Sequence, residues 1–207
     1  MAELTAYSGI ANLMRSELDG CEIGPILAAL YRAGRKFCED TEVWVRDIEE
    51  TLVEGQATYD LAQTGSRVQR VIRVRFVDED AGGDPNTWSD GLEIHPDRYR
   101  LADDNLIFDS AGTPGADYDG QTLAVRVADV PHTDTDPLPD GFLTRWADAI
   151  RYLAMEELRR QPNRPWADRD DADRYALMYY EQMSIARGEK AREHKSVDLI
   201  ARAPSFI

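Results

Sequence analysis

The apolar residues of this 207-residue chain change their spacing twice, and that change limits the possible folds more than any other feature. Toward both ends they recur every three or four residues, which is typical of amphipathic helices. Between residues 42 and 130 they alternate with polar residues, which is typical of half-buried strands. The sequence therefore predicts an α+β fold, in which N- and C-terminal helices form one helical bundle and the middle forms an inserted antiparallel β module.

Four helices are predicted, two at each end of the chain: Tyr7–Leu18, Ile23–Asp40, Pro139–Arg160 and Ala172–Ala191. The apolar faces of the last three have no other cover of equal length, so we expect these three helices to pack in one core. The residues expected at the centre of that bundle core are Leu30, Phe37, Trp146, Ile150 and Leu153. By their spacing, most aromatic residues of one set in the last third are also predicted to pack in a core: Trp146, Tyr152, Trp166, Tyr175, Tyr179 and Tyr180.

The clearest strand pattern lies at Arg67–Val77, where Val68, Ile72, Val74 and Phe76 alternate with Arg67, Arg73 and Arg75. This alternation predicts a strand with its arginines on the solvent face. A second good strand is predicted at Gln121–Val130, and shorter extended segments at 43–48, 57–61, 92–94, 99–101 and 106–108. Two segments rich in Asp and Gly, 78–91 and 109–120, are predicted as loops.

The net charge is −15, from 39 acidic and 24 basic residues, and residues 41–130 hold 19 of the acids and only 8 of the bases. A surface this acidic repels nucleic-acid phosphates and anionic membranes. The charge shift and the change of period predict the same division. A helical body covers 1–41 and 131–194, an acidic β module covers 42–130, and a C-terminal docking tail covers 195–207.

Catalytic and cofactor motifs are missing from the sequence: it has no phosphate-binding loop, no H-E-x-x-H, no C-x-x-C and no G-x-S-x-G. The chain has two cysteines and three widely separated histidines. We therefore predict that it is not an enzyme, with no catalytic residue, no metal ligand and no cofactor. No secretion signal and no run of ~20 apolar residues occurs, which favours a cytosolic origin.

One acidic segment, Asp78–Asp84, leaves an alternative open, because hard cations prefer several oxygen ligands on a flexible loop. The segment lacks an acid at its fifth position and has Ser89 where a closing Glu would stand. Those departures favour a solvated loop over a calcium site.

The end of the sequence differs from the rest, since residues 187–202 carry five bases against three acids. Apolar side chains are interspersed with this charge and follow it. The pattern predicts a peptide that docks into a partner's groove or adds to its sheet, and the alternative is a frayed end. The expected docking residues are Lys195, Leu199, Ile200, Arg202, Phe206 and Ile207.

Several short segments, in a fixed order over most of the chain, form one further pattern: Leu18-Asp19-Gly20-Cys21 before Ala28–Thr41, Val43-Trp44, Tyr59-Asp60-Leu61 before Arg70–Val74, Leu138-Pro139-Asp140, Gln161-Pro162 with Pro165-Trp166, and Ala172, Tyr175 and Tyr179 leading to Ile185-Ala186-Arg187. With these segments the chain resembles the head-to-tail adaptor (connector) proteins of the neck of tailed bacteriophages.

That resemblance implies a structural virion protein of the neck, assembled in the host cytoplasm. Such adaptors form a homo-oligomeric ring, usually of twelve copies, below the portal protein. The ring extends the channel for double-stranded DNA, without sequence-specific binding, and is a platform for the stopper or tail protein. The docking residues would then meet the portal or a neighbouring subunit, and no membrane partner is implied.

Alternatives to the adaptor role are another neck component, such as a stopper or tail-completion ring protein, and a calcium-dependent binding module or enzyme that uses the acidic β region. The 21 arginines beside 39 acids further predict that lateral contacts in a ring use Arg–carboxylate pairs.

Overall fold

The computed structural model describes residues 3–78 and 91–195, and the fold is α+β with antiparallel sheets. The α-helices of this part of the chain are α1 (Glu3–Arg15), α2 (Ile23–Thr41), α3 (Asp140–Arg145), α4 (Ala147–Arg159) and α5 (Arg169–Lys195). Its strands are β1 (Val45–Thr51), β2 (Thr58–Asp60), β3 (Ser66–Val77), β4 (Leu92–Glu93), β5 (Tyr99–Ala102), β6 (Asn105–Phe108) and β7 (Thr122–Pro131). None of the described helices has the length and apolar character that a bilayer crossing requires.

The chain divides into two compact units that alternate along the sequence. The first contains the described residues of Met1–Arg46, Ala62–Arg70 and Ala128–Ala186. The second contains the described residues of Asp47–Leu61, Val71–Val127 and Arg187–Ile207. The domain boundaries that the sequence suggested at 41–42 and 130–131 stay a prediction.

Helix α2 organises the core of the first unit, where it packs on α1 and α4. Leu30 and Phe37 on α2 and Ile150 on α4 are fully buried. The Phe37 ring lies 5.3 Å from the indole of Trp146 and 6.4 Å from the ring of Tyr179, centroid to centroid. Contacts at this separation add to the hydrophobic gain of burial.

The helix predicted over Pro139–Arg160 is in fact two helices, because Trp146 leaves helical geometry with φ −111° and ψ 19°. Its indole is 6 % exposed and packs on Phe37. Apolar spacing continues through Trp146, so the sequence period carries no signal of the break. The packing of the indole, a tertiary contact, accompanies the departure from helical dihedrals at this residue.

Strands of the second unit include a three-stranded sheet in the order β2-β6-β5, in which Tyr59 pairs with Leu106 and Leu101 pairs with Leu106 on the other side. A four-stranded sheet has the order β1-β7-β3-β4. Gly91, with φ +84°, precedes the short strand β4, and a Cβ there would lie 2.4 Å from the carbonyl oxygen of Phe76. Only glycine fits this approach.

Arg75 was expected on the solvent face of β3, and that prediction is wrong: the residue is 1 % exposed. Residues 74–77 of β3 are all buried, so both faces of the strand are covered there. Alternation along a strand distinguishes an inner from an outer face only where one face meets water. The extended segments predicted at 67–77 and 121–130 are otherwise confirmed as β3 and β7.

Candidate functional site

A groove of about 720 Å³ lies in the first unit between α2, α4 and α5. Its floor contains Ala33, Leu153 and Tyr179, which come from three different helices. Its rim is charged, with five carboxylates and four cations: Glu39, Asp40, Asp134, Glu156, Glu157, Arg32, Arg35, Lys36 and Arg160. We call this cavity the α2–α4–α5 groove.

The amphipathic pattern of α2 explains why one helix supplies both core and rim. Its buried positions, which include Leu30, Ala33 and Phe37, recur at spacings of three and four. Charged residues fill the turns between them, and Arg35 and Lys36 lie one or two positions from Phe37. The side of α2 that does not enter the core therefore forms a charged wall.

Rim charges are paired with each other across the groove. The Arg32 guanidinium forms a forked ion pair with Glu157 on α4, one arm of which is Nε to Oε2 at 3.3 Å. These hydrogen bonds raise the pKa of Arg32 above its ordinary value. Arg35 bridges Glu39 at 3.1 Å and Asp134 at 2.8 Å. The forked geometry aligns two helices more specifically than a single charge contact would.

The floor is joined to the rim through Tyr179, a residue of α5 that is 3 % exposed. Its hydroxyl donates to Asp40 Oδ2 at 2.8 Å, and Lys36 Nζ donates to Asp40 Oδ1 at 3.1 Å. Next to it on α5, Tyr180 lines the groove with 57 % of its surface exposed. Tyr180 belongs to the aromatic set predicted to lie mostly in the core, and it is an exception, because it follows the buried Tyr179 and points away from the core.

Tyr180 also belongs to an exposed apolar surface on α5. Leu177 is 68 % exposed and Ile185 is 51 % exposed. The spacings 177, 180 and 185 place these three side chains within one side of the helix. We call them the α5 outer face. Because Tyr180 is common to both, the groove opens directly onto this face.

Titratable groups elsewhere in the described residues do not form a reactive centre. Cys21 and Cys38 are free and buried, and burial raises the pKa of each thiol. Both thiols therefore stay protonated near neutral pH, whereas a nucleophilic cysteine requires a lowered pKa. The exposed His95 ring caps the short 3-10 helix Pro96–Arg98, where its Nδ1 accepts the Asp97 N–H at 3.3 Å.

Metal binding has no support in residues 3–78 and 91–195, where no group of three or more His, Cys, Asp or Glu side chains is placed to hold an ion. Of the acidic segment Asp78–Asp84, all but Asp78 lies outside the described residues. The groove has an apolar floor, and the cations of its rim already pair with carboxylates of the rim. It therefore suits contact with a polypeptide better than capture of a small anion, because an anion would compete with those carboxylates for the cations.

The sequence-predicted core residues fall in the first unit. Leu30, Phe37 and Ile150 are fully buried and Trp146 is nearly so. Leu153 differs, because it is only partly buried, packing against the core from the floor of the groove. It faces this cavity, so neighbouring helices cannot cover it completely.

The sequence-predicted docking residues stay a prediction. Lys195 is the last residue of α5. Leu199, Ile200, Arg202, Phe206 and Ile207 lie outside the described residues. Sequence reasoning also missed the groove. Its one local signal was the dense, mixed charge of α2 between Arg32 and Asp40, which the amphipathic pattern assigned to solvent.

Comparison with known proteins gives no match to a protein-family model and none to a curated protein. Among solved structures, a chain from the neck of an empty gene transfer agent (GTA) particle, computed with C6 symmetry, is 18 % identical, with a TM-score of 0.32. A chain from the virion of the native GTA particle is 17 % identical, with a TM-score of 0.28. Each alignment covers 80 % of this chain and 87 % of the other. Both TM-scores are below 0.5, so the functional proposal rests on this chain's own residues.

Proposed function

We propose that this chain is a structural subunit of a phage-type neck: a head-to-tail adaptor that forms a ring below the portal protein. The ring extends the DNA channel and is a platform for the stopper or tail protein. The segments between Leu18 and Arg187 that resemble the adaptor family support this role. The exposed apolar side chains of the α5 outer face also support it.

The α5 outer face is the observation that carries the proposal. Leu177, Tyr180 and Ile185 expose more than half of their surfaces on a chain whose net charge is −15. Large apolar side chains grouped on an otherwise charged surface mark a site that another protein covers. We assign this face to the neighbouring copy in the ring, because the groove with its matched charges adjoins it and supplies orientation to an apolar contact.

The acidic surface supports the channel role. A channel wall with net negative charge repels the phosphates of double-stranded DNA and does not bind them, so the DNA can slide past it. A basic lining would instead hold DNA with an affinity that rises with each phosphate contacted. The ring number of twelve, the portal and the stopper are what the family resemblance implies for this chain.

The test is the particle size of the purified protein, with and without a phage portal protein, by light scattering and negative-stain microscopy. We expect rings from the wild-type chain and loss of rings from the double variant Leu177→Glu, Ile185→Glu. The matched control is the double variant Leu13→Glu, Ile23→Glu, which adds the same two charges at an exposed leucine and an exposed isoleucine of α1 and α2, 62 % and 38 % exposed, and is expected to leave the rings intact.

Wild-type chain that stays monomeric both alone and with the portal would overturn the adaptor assignment. Rings that survive the double variant would show that the α5 outer face is not the contact.

A further inference from the structure

The α5 outer face has a central line with a flank on each side. At 3.6 residues per turn, Leu177 lies between Tyr180 on one flank and Ile185 on the other. Two further positions of the same helix, Ser184 and Gly188, share the central line with Leu177. The central line therefore has a large apolar side chain at one end and small residues toward the other.

The small residues leave room for another helix. A Cβ at Gly188 would meet no atom of the described residues within 4 Å. The Ser184 hydroxyl donates to the carbonyl oxygen of Tyr180 at 2.9 Å, so its polar group is satisfied within α5. Because the distance between packed helices depends on the side chains at the contact, a second helix can approach closely at these positions.

A second copy of α5 fits this face when it runs antiparallel. If a two-fold axis passes between positions 182 and 183, Leu177 lies at the same height along the helix axes as Gly188 of the second copy. Each leucine then meets a gap, and large and small side chains interdigitate as they do in a protein core. A two-fold contact uses the same patch on both copies, so the fit is repeated at the other end of the contact.

The charge of α5 favours the antiparallel direction. Residues 169–173 hold three acids and one base, whereas residues 187–195 hold four bases and two acids. An antiparallel pair places the acidic start of one helix beside the basic end of the other, at both ends of the contact. A parallel pair would place like charges together, which is unfavourable.

Burial supplies the driving force. Leu177, Tyr180 and Ile185 each expose more than half of their surface, and covering apolar surface lowers the free energy in proportion to its area. A contact limited to one face of α5 is small, and small interfaces dissociate readily. The expected contact between two copies is therefore weak and reversible.

We propose that two free copies of the chain pair through their α5 outer faces, antiparallel and about a two-fold axis. The pair is closed, because each copy covers the face of the other and no third copy can add to it. The same face is the contact assigned to the ring. The inference therefore rests on the proposed function for one consequence alone, that the pair opens before the ring forms.

Oxidative cross-linking of full-length chains tests the direction and register of the pair. Glu181 of one copy lies at the height of Ser184 of the other, and a disulfide requires Cα atoms within about 7 Å. An equimolar mixture of Glu181→Cys and Ser184→Cys chains should therefore form more disulfide between unlike chains than between like chains. A parallel pair would favour like chains. Tryptic peptides of different mass separate the products.

The matched control for cross-linking is Leu13→Cys, which places a thiol at a site of α1 that is 62 % exposed, outside the α5 outer face. It should stay largely uncross-linked. The native thiols of Cys21 and Cys38 are buried in every variant and do not compete.

Sedimentation of the wild-type chain, at concentrations below those at which rings form, gives a second measurement. We expect a two-copy species. Gly188→Glu should weaken it at least about tenfold, because the new carboxylate would be buried against Leu177 of the second copy. Gly9→Glu is the matched control: it adds the same charge at a glycine of α1 that also has open space, and it should pair like wild type. Circular dichroism checks that both variants fold.

Three results would overturn the pair: a wild-type chain that is monomeric at every concentration below ring formation, disulfides mainly between like chains, or equal weakening by the two glycine variants. Rings that form on the portal from a chain without a two-copy species would refute the pair and leave the adaptor role standing. A cross-linked pair from a chain that never forms rings would support the pair and refute the adaptor role.

Discussion

Asp129 and Asp47 each accept a forked pair of hydrogen bonds from an arginine, and they differ in burial. Asp129 on β7 accepts from Arg46 Nε at 2.6 Å and Nη2 at 3.3 Å, and its side chain is fully buried. Asp47 on β1 accepts from Arg126 Nε and Nη2, both at 2.7 Å, and its side chain is 45 % exposed. At the scale of single residues, these two ion pairs share one geometry, so comparing them shows how solvent exposure changes the stability that such a pair contributes.

Asp129→Ala should lower the free energy of unfolding by about 3–5 kcal/mol, because it leaves the Arg46 charge without its buried partner. Asp47→Ala is the matched control and should cost less than about 1 kcal/mol, since water already solvates the Asp47 carboxylate. Urea denaturation followed by circular dichroism measures both values. Equal losses from the two variants would show that burial does not set the contribution of these pairs.

At the scale of elements, α4 separates its core positions from those that face the groove. Ile150 is fully buried, while Leu153, less than one turn further on, is partly buried on the groove floor. Both positions fit the same apolar stripe in the sequence. The sequence period predicts which side of α4 is apolar, but the position of α5 decides which part of that side is sealed.

Ile150→Ala should therefore destabilise the protein by about 2–5 kcal/mol, since it opens a cavity in a sealed core. Leu153→Ala, with a similar loss of side chain, should cost only about 1 kcal/mol, because the groove already exposes part of the site and no closed cavity forms. Guanidinium denaturation of both variants checks the difference. A larger loss at Leu153 would mean that the groove is closed in solution.

At the scale of the whole molecule, several arginines that could form contacts between subunits already pair with carboxylates of the same chain. Arg32, Arg35, Arg151 and Arg160 each pair with a carboxylate of their own unit. Intramolecular pairing does not remove a guanidinium from contact, because five donors exceed the needs of one carboxylate. The lateral Arg–carboxylate contacts of a ring stay a prediction.

Ring assembly should weaken several-fold when salt is raised from 0.15 M to 0.5 M. At 0.15 M the screening length is already about 8 Å, so long-range repulsion between copies of charge −15 is largely suppressed. Extra salt then acts mainly on close pairs at the contacts. Light scattering across this salt range measures the association. Assembly that strengthens with salt would show that self-repulsion, and not Arg–carboxylate pairing, dominates the interface.

The sequence by itself determined the type of most elements, since the helical and alternating periods are local and each reports one buried face. It indicated α2 almost to the residue and the strands β3 and β7. The tertiary structure alone decided that Arg75 is buried, that the helix breaks at Trp146 and that Tyr180 is exposed. The groove is also a feature that only the tertiary structure decided, because Asp40 and Tyr179, which meet in it, are 139 residues apart in sequence. A period describes one element against an average environment, whereas a cavity and the burial of a charge depend on how several distant elements pack.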